Sequence, residues 1–171
     1  MTNTILKFSF LCFIVLGFLA CQNNSTNANT SAEQLAREDS LELKLNIKSY
    51  KKVEISQEVD SLVKNWPIYE DFKNEVNRFN NYSIQDVISN LSTVERVIDS
   101  LQRTIPKKVD TFPVVSRIKV LNTKAKYMLL LSEKQKPKLN PIMRMAEEFP
   151  LEFNALNIQL NEVFIRFPDF E

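Results

Sequence analysis

Few side chains in this 171-residue sequence could do chemistry. Glu147, Glu148 and Glu152 fall close together, and Asp169 and Glu171 form a second acidic pair. Neighbouring carboxylates can share a proton or hold a cation, so general acid–base or metal work would sit here. A di-iron bundle, however, needs a Glu-x-x-His pair on its helices, and the sequence contains no histidine. Calcium accepts carboxylates alone, but its loop needs alternating acids turned by a glycine, and Gly17 is the one glycine present. Phosphate-cradling and dinucleotide loops fail on the same ground, because their glycines bring backbone against phosphate. Ser83 and Ser116 could be nucleophiles, yet only lysine could serve as their base and no spacing pairs them with one. The inventory predicts no enzyme, no metal and no cofactor.

Cys21 is a different case, and its context gives it a role. Met1 to Lys7 carries one basic side chain, and Phe8 to Ala20 is a 13-residue apolar run broken only by Ser9. A helix of that length rises about 20 Å, short of the roughly 30 Å hydrocarbon core of a bilayer. A basic start, a short apolar core and a small residue at the end describe a secretory signal peptide over residues 1–20. The junction Phe18-Leu19-Ala20-Cys21 also resembles the lipobox of bacterial lipoproteins, with leucine one place later than usual. That resemblance implies cleavage before Cys21, a diacylglycerol on its thiol and a further acyl chain, such as palmitate, on its amino group. Gln22 is not the aspartate of an inner-membrane retention signal, which implies the periplasmic face of the outer membrane. The alternative is an ordinary secretory signal followed by a chance cysteine.

Removing 20 of 171 residues leaves 151, enough for one domain and a tether. The remainder carries 21 basic and 21 acidic residues, and Cys21 is its only thiol, so no internal disulfide can form. Residues 21–31, the lipidated cysteine and then QNNSTNANTS, have no charge and too little apolar surface to fold, so a flexible tether is expected. A chain without glycine beyond the signal has no easy residue for tight hairpins, which points to an all-α fold.

Helical spacing organises the rest of the chain. Ser31 to Gln34 matches a capping box, and residues 32–52 are expected to form a helical stalk, although Leu41, Leu43, Leu45 and Ile47 alternate as in a strand. Helix is preferred there because no partner strand is visible elsewhere. Leu62, Trp66, Tyr69, Phe72, Val76 and Phe79 keep one phase across Pro67, predicting a kinked helix or two nearly coaxial ones. Ser83 should cap a helix over Ile84 to Ile105, with Val87, Leu91, Val94, Ile98 and Leu101 on its seam. Pro113 suits the first turn of the next helix, whose buried stripe is Val114, Ile118, Leu121, Ala125 and Met128. Asn140 and Pro141 should open a last helix, bearing Ile142, Phe149, Phe153, Leu156 and Leu160 and kinked at Pro150. The expectation is an antiparallel up-down bundle of about four long helices over residues 53–171, preceded by the stalk.

The surface admits two readings. From Arg103 to Arg144 eleven basic residues stand against Asp110 and Glu133. Lys107, Lys108, Arg117, Lys119, Lys124 and Lys126 could form a face for an anionic partner such as lipid headgroups, or could complement acidic helices on either side. Nucleic acid is not expected for an exported chain. Trp66, Tyr69, Phe72, Phe149 and Phe153 could line an apolar ligand site between kinked helices, although aromatics on a helical seam usually belong to a core. The function expected is that of a non-catalytic cell-envelope lipoprotein, membrane-bound through its lipid, with an envelope protein partner. The alternative is a periplasmic carrier of a lipid or other apolar ligand.

Overall fold

In the computed structural model, which describes residue 36 and residues 40–165, serine and proline set three of the helix starts. The chain divides into two units, Met1–Glu38 and Asp39–Glu171. The signal, Cys21, the tether, the Ser31 capping box, the first part of the stalk and the tail with Asp169 and Glu171 lie outside the described residues.

Within the second unit the described residues form five α-helices: α1 (Gln57–Val63), α2 (Pro67–Arg78), α3 (Ile84–Arg103), α4 (Phe112–Ser132) and α5 (Leu139–Glu162). The fold is all-α, as the spacing predicts. The Pro67 site is a break: α1 ends at Val63, Trp66 leaves helical geometry at φ −127° and ψ 69°, and Pro67 begins α2. Proline lacks the N–H that a continuing helix would need there, and at a first position that loss costs nothing. Pro150, by contrast, lies inside a continuous α5. Ser83 caps α3 through a closed capping box, its Oγ accepting from the Asp86 N–H at 3.2 Å and its own N–H donating to Asp86 Oδ2 at 2.8 Å. That carboxyl is held below its usual range by the Ser83 donors. Helix α3 stops two residues before Ile105, and α5 starts at Leu139 with Lys138, not Asn140, at its N-cap.

Helices α2 to α5 pack as a bundle, each against the next, with α2 closing against α5. Contacts fix the directions. Phe79 stacks on Phe149 while Phe72 and Tyr69 reach Phe153, so α2 and α5 run antiparallel. Gln102 meets Asn122 and Glu95 meets Lys126, so α3 and α4 do the same. The core is continuous through Phe72, Leu91, Leu101, Ile118, Met128 and Phe149, all fully buried. Each such side chain contributes about 1.5–3 kcal/mol by leaving water.

The stretch expected to be a helical stalk is the principal correction. After a helical turn at residues 40–41 the backbone is non-helical from residue 43 to Ser56 and lies along the bundle as a strap. Leu45 donates to the Tyr82 carbonyl and Ile84 donates to that of Leu43, both at 3.0 Å, around one antiparallel bridge at Lys44 and Ser83. Beyond the bridge the strap pairs with side chains of α5. Asn46 N–H donates to Glu147 Oε1 at 2.9 Å, Val53 N–H to Asn154 Oδ1 at 2.6 Å and Ser56 N–H to Asn161 Oδ1 at 2.8 Å. In return Asn154, Asn157 and Asn161 donate to the carbonyls of Lys51, Val53 and Glu54. Backbone groups leaving water must find partners, and here helix-borne amides supply what a neighbouring strand would. The partners ascend in both segments, so the strap runs parallel to α5.

Candidate functional site

The six predicted cations do not make one face. At about 100° per residue, Arg117 and Lys124 stand seven apart on one edge of α4, and Lys119 and Lys126 stand seven apart on the other. Lys124 bridges to α5, with Nζ 2.7 Å from Glu148 and 2.5 Å from Glu152. Burial alone would lower its pKa, but the two carboxylates outweigh that and raise it. Lys126 leans the other way, 3.7 Å from Glu95 of α3. Charge complementarity between neighbouring helices thus accounts for these two. Arg117 and Lys119 are exposed and make no ion pair among the described residues. Lys107 and Lys108 belong to the α3–α4 connection, on the rim of a cleft of about 370 Å³ that Glu58, Asn65 and Phe164 also line.

Between the two edges runs a strip that the buried-stripe periodicity does not reveal. Phe112, Ser116, Val120, Thr123, Tyr127 and Leu130 advance by three and four, and share one sector of α4 opposite its buried residues. Phe112 is 86% exposed, Tyr127 51%, Leu130 56% and Val120 37%. The same helix buries Val114, Ile118, Leu121, Ala125 and Met128 on its inner side. It is therefore apolar on both sides, and from Phe112 to Ser132 it contains no acidic residue. The signal in the sequence is Tyr127-Met128-Leu129-Leu130-Leu131, a run too long for a single buried stripe.

The predicted ligand-lining aromatics occupy the core. Trp66, Tyr69, Phe72, Phe149 and Phe153 are all buried, with Trp66 5.8 Å from Tyr69 and Phe153 5.7 Å from Tyr69 and 5.5 Å from Phe72, centroid to centroid. The Trp66 indole N–H donates to Thr104 Oγ1 at 3.0 Å, tying the start of α2 to the end of α3. These rings pack on one another. The clustered acids are likewise engaged, Glu147 on the strap and Glu148 and Glu152 on Lys124. Among the described residues no group of three acidic, histidine or cysteine side chains could hold a metal ion. Ser83 is occupied as a helix cap.

The asparagine row on α5 is a second feature that apolar periodicity passes over. Asn154, Asn157 and Asn161 share a helical face, and Asn157 also accepts from the Tyr69 hydroxyl at 2.8 Å. Burial raises the pKa of that hydroxyl, so it stays a donor. The spacing 154, 157, 161, with Glu147 a heptad earlier, is a polar seam visible in the sequence beside the apolar one.

No family model, curated protein or solved structure matches the chain. Among the described residues no helix is long and apolar enough to cross a membrane.

Proposed function

We propose that the chain is a non-catalytic, lipid-anchored protein of the cell envelope whose helical bundle works by association. The observation that carries this reading is Cys21, placed directly after a short apolar run ending in Ala20. A thiol there is suited to thioether formation with diacylglycerol, and two or more acyl chains hold a protein stably where a single chain gives only marginal binding. The reading of the bundle as an association module is supported by how its polar groups are spent: the clustered acids pair with a lysine and with the strap, and Ser83, one of the two serines considered as nucleophiles, caps a helix.

Metabolic labelling with an alkyne fatty acid in the native host tests the anchor. The wild type should incorporate label and fractionate with membranes, and Cys21→Ala should lose the label and accumulate as an uncleaved or soluble form. Equal labelling of both would end the lipoprotein reading. Crosslinking in intact cells tests association, and a chain that remains monomeric and uncrosslinked in its own envelope would count against an interaction role.

A further inference from the structure

We infer that the outer strip of α4 is a docking surface for a membrane carrying anionic lipid. A helix apolar on two sides ordinarily has both covered, and α4 has one side open. The exposed side chains span from Phe112 to Leu130, about 27 Å at 1.5 Å per residue. Such a ridge could seat against a bilayer, against a second copy of the chain or against another protein.

Charge decides among them. The strip is bordered by Arg117 and Lys119, with Lys107 and Lys108 in the connection preceding it and Lys134 just beyond its end. Two α4 ridges packed together would bring these cations onto one another, which argues against self-association. A protein partner of high affinity would be expected to offer or receive a side chain in a pocket, and this surface is the convex side of one helix. A bilayer surface needs no pocket. Aromatic and leucine side chains enter the acyl boundary, while lysine and arginine stems lie along the apolar strip and lift their charges to the phosphates. Asp110 and Glu133 flank the ends of the helix, and Glu95 and Glu148 reach Lys126 and Lys124 at its sides, so the attraction is concentrated near Arg117 and Lys119. Each cation near an anionic surface adds about 1 kcal/mol, roughly fivefold in partitioning. This inference concerns the surface of α4 and stands independently of whether Cys21 is acylated.

The test reads the strip locally, in the full chain reconstituted on vesicles. Two single variants, Phe112→Trp and Tyr127→Trp, place a reporter at either end, and the parent with buried Trp66 alone gives the background. With about 30% phosphatidylglycerol in phosphatidylcholine, both reporters should shift to shorter wavelength and be quenched by brominated acyl chains. In pure phosphatidylcholine the partitioning read by quenching should fall about 25-fold, two cations at about fivefold each, and at least as far when Arg117→Glu and Lys119→Glu are added. Reporters that emit alike in both vesicle types would overturn the proposal, even if the chain stays membrane-bound through its N-terminus. Shielding of both reporters by an envelope protein, with no response to anionic vesicles, would overturn it equally. Because the two positions are independently exposed, loss of folding in one variant leaves the other to decide.

Discussion

Asn157 holds two elements to a third with one side chain: its Oδ1 accepts from Tyr69 of α2 and its Nδ2 donates to Val53 of the strap at 3.2 Å. The residue is only 4% exposed, so removing it leaves a hydroxyl and a carbonyl without partners in a place water reaches poorly. Asn157→Leu should therefore cost about 2–4 kcal/mol in urea denaturation, more than Tyr69→Phe at about 1 kcal/mol. A cost below that of Tyr69→Phe would mean the strap carbonyl is satisfied some other way. Tyr69 and Lys124, each in a polar contact between helices, also contribute to the alkaline limit, as do Tyr50 and Tyr82, whose hydroxyl pKa values burial raises. Burial raises the Tyr69 pKa, and the glutamates raise that of Lys124. In both cases the folded state binds the proton more tightly, so stability is fully present below the ordinary values of 10.0 and 10.5 and is lost as pH rises past them. The stability curve should be level from neutrality to about pH 9.5 and then fall, and Tyr69→Phe should make that fall shallower. A fall of unchanged slope in that variant would show that Tyr69 does not contribute.

Among the elements, α3 is the most directly legible in sequence and the strap the least. For α3, every local choice agrees: Ser83 and Asp86 close the start, Val87, Leu91, Val94, Ile98 and Leu101 form one seam, and Arg103 ends it beside Asp99. Ser83→Ala should cost about 1 kcal/mol, read as a lower urea midpoint with unchanged slope, and a loss below about 0.3 kcal/mol would mean the Asp86 half of the box suffices. The strap carries conflicting signals. Its Leu41, Leu43, Leu45 and Ile47 alternation points to an extended backbone, but such a backbone needs hydrogen-bond partners, and the sequence offers no second strand to supply them. The suppliers are Tyr82, Ile84 and Glu147 at the alternating stretch and Asn154, Asn157 and Asn161 beyond it, and nothing local to the strap announces them. Exchange of the Val53 and Ser56 amides should accelerate at least tenfold in Asn154→Ala with Asn161→Ala, while α3 amides keep their protection. Equal loss in α3 would mean that the strap and bundle open together. The α4 surface is half legible: its cations stand out, but the strong inner stripe masks the apolar residues between them.

At the scale of the molecule, the bundle distributes charge so that basic α4 lies between α3 and α5 and is tied to both, by Lys126 to Glu95 and by Lys124 to Glu148 and Glu152. These ties are partly exposed, so each is worth little. Lys124→Met should lower stability by about 1 kcal/mol at low ionic strength and by less at 1 M salt, where the charges are screened. A loss unaffected by salt would mean that the lysine stem, packed between helices, is what matters.

The parallel course of strap and α5 has a mechanical consequence. A pull between Ser40 and the C-terminal end of α5 loads two parallel segments from opposite ends, across the grip of Glu147 on Asn46 and those of Asn154 and Asn161. Load applied from opposite ends of parallel segments strains such contacts together, in shear, instead of opening them singly. The strap thus resists a lengthwise pull from its N-terminal side as a set of contacts, ahead of the core around Phe72, Leu91 and Phe149.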